Sequence, residues 1–153
     1  MIDIKKIGLV CSSGGHFFEL YSLEEFWKEF KHFWVTFEKE DTNYLLKNEK
    51  VYLAYSPTNR NIKNLFKNII LSFKILTKER PDLILSTGAG IAVPFIYAAK
   101  ILRIKTIYIE SLTRVVDLSL TGKLIYPIVD VLLVQWPELE KRYGKAKFEG
   151  QII

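Results

Sequence analysis

Val10-Cys11-Ser12-Ser13-Gly14-Gly15-His16-Phe17-Phe18-Glu19-Leu20 joins two runs of different period. Lys6 to Cys11 is short, apolar and rich in β-formers, which predicts a buried strand. Phe17, Leu20, Tyr21, Leu23 and Phe26-Trp27 then recur at helical spacing. Between the two runs, glycines let the backbone take positive φ and approach a ligand closely, and the unpaired N–H groups of the helix start point at whatever binds. Strand, glycine turn and helix N-terminus in that order make an anion site, here for a phosphate or a sugar phosphate. The bland alternative is a tight βα turn, which needs one glycine but has no use for Ser12-Ser13 before it or His16 after it. The spacing is neither the dinucleotide fingerprint G-x-G-x-x-G nor the phosphate loop ending in Gly-Lys-Ser/Thr.

The same alternation continues outward. Lys31 to Phe37 reads as a second strand, Glu38 to Lys47 as a short helix and Lys50 to Tyr55 as a third strand. Ser56-Pro57-Thr58-Asn59 is a loop that supplies helix-start residues, and Asn61 to Glu79 is a long amphipathic helix closed by Arg80-Pro81. Asp82 to Ser86 is a strand, followed by Thr87-Gly88-Ala89-Gly90 and a helix from about Ile91 to Leu102 with Pro94 in its first turn. Lys105 to Ile109 is a strand, Glu110 to Ser119 a polar loop, and Leu120 to Ile128 a helix that ends or kinks at Pro127. Asp130 to Val134 is a strand, Gln135-Trp136-Pro137 opens a short helix to Tyr143, and Phe148 onward is a final strand or a tail. Strands alternating with helices, several of them uniformly apolar, predict an α/β fold: a doubly wound, mostly parallel sheet with helices on both faces. One Rossmann-like domain over residues 1–153 accommodates all of it.

Composition narrows the function classes. An apolar content of 49% and an aromatic content of 14% exclude disorder. The formal charge of +5 favours anionic partners but is too mild to mean nucleic acid. The single cysteine, Cys11, lies in the first strand and reads as a buried structural thiol, so no disulfide framework exists and a reducing compartment fits. No signal-peptide pattern opens the chain, and the nearest approach to a membrane span, Ile91 to Ile101, is short and carries Pro94 and Lys100. The expected location is the cytoplasm, at most peripheral to a membrane.

In a doubly wound sheet, ligands bind beyond the carboxyl ends of the strands. The loops expected there hold glycines, hydroxyls, a histidine, a carboxylate and an arginine. Ser12 to His16 follows the first strand and Ser86 to Gly90 the fourth; Glu110 to Arg114 follows the fifth and Gln135 to Glu138 the sixth. Two glycine-bearing loops suit a diphosphate or a sugar. Arg114 fits a forked contact to phosphate or a plain solvated loop position. His16 is placed as a base or hydrogen-bond donor, or as a helix cap; Glu19 is a favourable first-turn acid. Glu110, directly after an apolar strand, is a candidate functional carboxylate or a loop salt bridge. Trp136 offers a stacking platform or packs the last helix on the sheet. No metal-ligand cluster and no nucleophile elbow G-x-S-x-G is present in the sequence, and no cofactor is implied.

Five motifs in order carry a resemblance: Ser-Gly-Gly-His-x-x-Glu (Ser13 to Glu19), Ser-Thr-Gly-x-Gly-x-x-Val-Pro (Ser86 to Pro94), Ile-Glu-Ser-x-x-Arg-Val (Ile109 to Val115), Leu-Ser-Leu-Thr-Gly-Lys-Leu (Leu118 to Leu124) and Val-Gln-Trp-Pro-Glu-Leu (Val134 to Leu139). Together, from Lys6 to Gly150, the chain resembles bacterial capsule "galactosyltransferase enhancer" proteins and the eukaryotic subunit that anchors the N-acetylglucosaminyltransferase of dolichol-linked glycan assembly. The resemblance implies the N-terminal, acceptor-side half of a GT-B glycosyltransferase, with the donor-binding subunit on a separate chain. The pair would move a sugar from a UDP-sugar onto a lipid-diphosphate-linked saccharide, with inversion and without a metal, in capsular or exopolysaccharide synthesis. On this reading His16 and Glu110 are the catalytic candidates. Ser13, Gly14, Gly15, Glu19, Thr87, Gly88, Gly90 and Arg114 bind the acceptor. Trp136, Phe148, Ile152 and Ile153 face the partner. The eukaryotic members carry an N-terminal membrane anchor; the expectation here is that no such anchor is present and that contact with the inner leaflet comes from the chain's own surface or a partner.

One such surface is expected on the long helix. At about 100° per residue, Lys63, Lys67, Lys74 and Lys78 fall within about 60° of one another, with Leu65, Phe66, Ile69, Phe73 and Leu76 as the opposing core stripe and Ile70 and Leu71 beside the lysines. A basic row flanked by apolar residues suits a membrane-surface helix; an ordinary solvated lysine face is the alternative. Two other functions compete with the subunit reading: a self-sufficient glycosyltransferase, and a phosphate- or nucleotide-binding regulatory module without transfer chemistry.

Overall fold

The structure is a computed structural model and describes residues 3–152. In chain order its elements are β1 (Lys6–Cys11), α1 (Gly15–Tyr21), α2 (Glu24–Trp27), β2 (Lys31–Thr36), α3 (Glu40–Leu45), β3 (Val51–Leu53), α4 (Ile62–Glu79), β4 (Leu83–Gly88), α5 (Ala92–Ile101), β5 (Lys105–Ile109), α6 (Leu120–Ile125), β6 (Val131–Val134), α7 (Pro137–Arg142) and β7 (Ala146–Phe148). All strands pair in parallel, in the order β3-β2-β1-β4-β5-β6-β7. The chain winds outward from β1 to β3, returns through α4 to the centre, and winds outward again from β4 to β7. The topological switch point therefore lies between the carboxyl ends of β1 and β4, where ligands of such sheets bind.

Two layers of helices cover the sheet. On one face Phe17 and Leu20 of α1, Trp27 of α2 and Leu46 after α3 pack on Ile7, Leu9, Cys11, Trp34, Leu83 and Leu85. Trp34 is met edge-on by Phe17 and Trp27, at 5.6 and 5.3 Å between ring centroids. Such pairs add about 1 kcal/mol each to the burial of the rings themselves. On the other face α4 and α5 pack on β1, β2 and β4, and α5, α6 and α7 on β5 to β7. Gly8 leaves room for side chains of the two neighbouring strands: a Cβ there would lie 2.6 Å from both Ile84 Cδ1 and Phe33 Cζ.

The helix following β1 differs from expectation. A single helix through Trp27 is predicted, and the chain breaks it at Ser22-Leu23 into α1 and α2. The Trp27 indole N–H returns to the Tyr21 carbonyl at 3.3 Å, which tucks the second piece under the first. The last strand, β7, ends at Phe148, where a final strand or tail is expected to begin, and residues 149–152 form no strand; β4 runs on through Gly88.

The long helix is where the sequence pattern and the structure part. Asn61 caps α4 by accepting from Asn64 N at 3.0 Å, and Arg80 closes it in the left-handed region at φ 48°. Its buried side chains are Asn68, Ser72, Ile75, Leu76 and Glu79, so the helix is rolled by about a quarter turn from the orientation its apolar stripe predicts. Polar groups drive the roll. Asn68 accepts from Tyr55 N at 2.9 Å and donates to Tyr55 O at 3.0 Å, tying the helix to the end of β3. Glu79 receives Lys6, Lys50 and the Tyr52 hydroxyl. As a result Leu65 and Phe66, expected in the core, are exposed, together with Ile62 and Ile70.

Candidate functional site at the switch point

A cleft of about 740 Å³ opens at the carboxyl end of the sheet, within the range usual for small-ligand sites. One wall is the β3–α4 loop and the start of α4, with Asn59, Arg60, Asn61, Ile62 and Leu65. The floor is the start of α5, with Gly90, Val93 and Pro94. The other wall is the β5–α6 loop and α6, with Ser111, Thr113, Arg114, Leu120 and Leu124. His16 and Tyr108 close the back.

His16 is held from two sides by the end of β4. Its Nδ1 lies 2.8 Å from the Thr87 carbonyl oxygen, which only accepts, so in the neutral ring Nδ1 carries the proton and Nε2 the lone pair. The Thr87 hydroxyl donates to the His16 carbonyl at 2.5 Å. Gly88 follows at φ 103°, and a Cβ there would lie 3.0 Å from Tyr108 Oη and 3.2 Å from His16 Nδ1. Glycine is therefore required twice over, for its dihedral and for the imidazole's seat. The Gly88 carbonyl accepts from Ser12 N at 2.7 Å, which joins the two glycine turns into one piece. Gly90 lines the floor, where a Cβ would press on Thr58 Oγ1 at 3.0 Å. Burial pushes the Tyr108 phenol above its usual range and the neighbouring Glu110 carboxylate adds to the shift, so the group facing the cleft is a neutral hydroxyl.

Several expected site residues serve the scaffold instead. Glu110 is expected as a catalytic carboxylate; it is 0% exposed and spends its oxygens on the protein. Oε1 accepts from Ser111 N at 3.0 Å, and Oε2 accepts from the backbone N and hydroxyl of Ser119, both at 2.9 Å. It clasps the two ends of the β5–α6 loop, and a Cβ at Gly122 would collide with it. Glu19 is likewise a positioning residue: its Oε1 accepts from Leu112 N at 2.9 Å, while its Oε2 is buried with no partner among the described residues. Trp136, expected at a partner surface, donates its indole N–H to the Leu112 carbonyl at 2.6 Å. The Leu112 backbone is thus gripped at both its polar groups, which fixes the loop whose tip, Thr113 and Arg114, enters the cleft.

The first glycine turn is oriented differently from expectation. Gly14 takes φ 81° as predicted for such a turn, but its N–H donates to the Asp41 carboxylate of α3 at 3.2 Å. Ser13, Gly14 and Gly15 stand beside the cleft wall and only His16 of that turn enters it. At the chain's end, Phe148 is half-buried against the α6–α7 side. Ile152 is half-buried on the opposite face and donates its N–H to Gln135 Oε1 at 2.8 Å. Ile153 lies outside the described residues. Lys63, Lys67, Lys74 and Lys78 are all exposed on α4.

Arg60, Asn59, Asn61, Tyr108 and Asp41 are site residues that sequence reading passed over. Arg60 follows a turn-rich tetrapeptide and has no motif around it. Asp41 sits in a polar stretch with several other acids. Their one available signal was position after a strand or at a helix start.

Residues 54–152 match the family described as "Oligosaccharide biosynthesis protein Alg14 like", and the chain belongs to it. It is 30% identical over 118 residues to the human UDP-N-acetylglucosamine transferase subunit ALG14, a match covering 68% of this chain and 55% of that protein. The corresponding subunit of Schizosaccharomyces pombe is 47% identical over 76 residues, covering 46% of this chain and 36% of that one. The chain thus spans about half the length, or less, of the curated relatives it matches. Among solved structures it is similar to Acinetobacter baumannii MurG, with a TM-score of 0.73 at 18% identity, over 88% of this chain and 42% of that one. It is also similar to a Staphylococcus aureus MnaA–UDP structure, with a TM-score of 0.76 at 15% identity, over 97% and 46%. The fold is that of one half of a GT-B protein.

Proposed function

We propose that this chain is the acceptor-side subunit of a two-chain inverting glycosyltransferase, which moves a sugar from a UDP-sugar to a lipid-diphosphate-linked saccharide, and that it serves capsular or exopolysaccharide synthesis. The observation that carries this reading is one oriented imidazole, His16, at the back of a cleft whose two walls carry Arg60 and Arg114, in a chain of the Alg14-like family. Relatives named as subunits of a UDP-N-acetylglucosamine transferase support the donor class. His16 Nε2 takes the proton of an acceptor hydroxyl as its oxygen attacks the anomeric carbon; the bond from that carbon to the UDP oxygen breaks, and UDP leaves on the opposite face. Thr87 keeps the imidazole aimed, and Glu110, Glu19 and Trp136 hold the loop that forms the facing wall.

Two surfaces complete the proposal. On α4, Ile62, Phe66 and Ile70 are 71%, 63% and 70% exposed, directly beside the lysine row. This apolar-basic strip at the cleft's rim suits the cytoplasmic leaflet of a membrane carrying anionic lipids. Among the described residues no helix is long and apolar enough to cross a membrane. The donor subunit is proposed to cover Ile107, Val131 and Leu133, which are only half-buried on a face of β5 and β6 where a parallel sheet is ordinarily covered. Ile152 borders that region, whereas Phe148 packs on the opposite face of the sheet. Equilibrium binding to the full chain tests the assignment: a prenyl-diphosphate-linked sugar binds and UDP-N-acetylglucosamine does not. Saturable binding of UDP-N-acetylglucosamine to this chain alone overturns it.

A further inference from the structure

Among the described residues, those lining the cleft include two arginines and no acid. Arg60 enters from the β3–α4 loop and Arg114 from the β5–α6 loop. These loops lie on opposite sides of α5, which packs against both α4 and α6. Both residues are exposed, and neither guanidinium takes part in a salt bridge among the described residues. Glu110, the carboxylate at the root of the Arg114 loop, is turned onto Ser111 and Ser119 and makes no salt bridge with either arginine. Two unpaired forks on facing walls call for a ligand with two or more negative charges and several acceptor oxygens.

The obvious competing anion seat, the first glycine turn, is already filled. Asp41 accepts the Gly14 N–H and puts a negative charge where a phosphate would go. Next to the two arginines the cleft turns apolar, through Ile62 and Leu65 on one wall and Leu120 and Leu124 on the other. Ile62 leads directly onto the exposed strip of α4, and Leu120 is itself 73% exposed. Charge and apolar surface are thus ordered along one path, from the imidazole outward.

We propose that Arg60 and Arg114 clamp the diphosphate of a prenyl-diphosphate-linked acceptor between the two walls, and that the prenyl chain leaves between Ile62-Leu65 and Leu120-Leu124. The identity of this ligand rests on the acceptor-side reading above; the clamp itself does not require transfer to be measured. The glycine turn at Gly14 and Gly15 then shapes the cleft and leaves the charge to the arginines.

The test is titration of the full chain with farnesyl diphosphate, farnesyl monophosphate, inorganic pyrophosphate and UDP-N-acetylglucosamine, for the wild type, R60N, R114Q and the double variant. Asn tolerates the φ of 49° at position 60, so R60N removes the guanidinium without straining the turn; R60K, with thermal midpoints for all variants, separates charge from fork. Farnesyl diphosphate binds the wild type at least about tenfold tighter than the monophosphate or pyrophosphate. Each single substitution weakens it about tenfold and the double about a hundredfold, with R60K between R60N and wild type. Farnesyl diphosphate bound equally by all folded variants overturns the clamp and leaves the acceptor-side reading standing. Pyrophosphate bound as tightly as farnesyl diphosphate removes the lipid path and overturns the proposal. UDP-N-acetylglucosamine bound through the arginines, with farnesyl diphosphate unbound, overturns both.

Discussion

At His16 the direction of the imidazole rests on one backbone carbonyl, that of Thr87, because a carbonyl can only accept and so assigns the proton to Nδ1. In the two-chain reaction proposed above, His16→Ala is expected to lower kcat by about 10²- to 10⁴-fold with little change in the KM for the lipid acceptor. A KM effect with kcat intact would make the histidine a binding group instead. Gly88→Ala is expected to destabilise the fold by about 1–3 kcal/mol, read as a lower urea midpoint, since it forces a Cβ into both a positive φ and the His16 seat. Burial pushes the Cys11 thiol up to about 12, only partly offset by its contact with Thr36. It should therefore resist thiol reagents at pH 8 until the protein unfolds. At this scale position after a strand is the signal that singles out His16, Gly90 and Arg114, and the structure brings these three to one cleft. Sequence reading could not tell a carboxylate that touches ligand from one that holds a loop: Glu110, Glu19 and Asp41 look alike as letters, and only their hydrogen-bond partners separate them. Arg60 was hidden for the converse reason, since among the described residues nothing pairs with it.

Among the elements, α4 holds the largest gap between pattern and structure. Its apolar stripe is real, but Asn68 and Glu79 outbid Leu65 and Phe66 for the interior because each finds all its partners there. Burial works to raise the Glu79 carboxyl, and the hydrogen bonds from Lys50, Lys6 and Tyr52 outweigh it and hold the group at about 2, below its usual 4.5. A depressed carboxyl contributes stability that is fully present above the unfolded pKa and is lost as pH falls through the folded one. The window is therefore between about pH 4.5 and about pH 2, and the contribution is about 3 kcal/mol. Urea midpoints measured across this window should fall for the wild type and stay nearly flat for Glu79→Gln, which starts lower. Equal slopes would assign the acid sensitivity to another group. The exposed side of the same helix predicts that replacing Lys63, Lys67, Lys74 and Lys78 with Glu abolishes sedimentation with anionic liposomes, since each lysine near such a surface is worth about 1 kcal/mol. Ile70→Ser with Phe66→Ser should weaken sedimentation while leaving the urea midpoint in place. Unchanged sedimentation in both sets would leave α4 an ordinary solvated face.

For the whole molecule, the doubly wound sheet was legible because parallel strands buried on both faces read as uninterrupted apolar runs, and each is followed by a helix. The switch point between β1 and β4 follows from that order, and it put the histidine turn and the second glycine turn side by side. What no run of letters could give is which face lacks a cover. Ile107, Val131 and Leu133 read as core and are only half-buried, with Ile152 laid beside them by the returning chain. Val131→Asp is expected to abolish co-elution with the donor subunit while the isolated chain keeps its thermal midpoint within a few degrees; co-elution at wild-type strength would place the interface elsewhere. The two-chain proposal rests on the family, on the cleft with His16 at its back and on the half-covered sheet face. The most direct measurement is sugar transfer from UDP-N-acetylglucosamine to a lipid-diphosphate-linked acceptor, run with this chain alone, with the donor subunit alone and with both. Transfer in the mixture and in neither chain by itself is the predicted result, and transfer by this chain alone would contradict it.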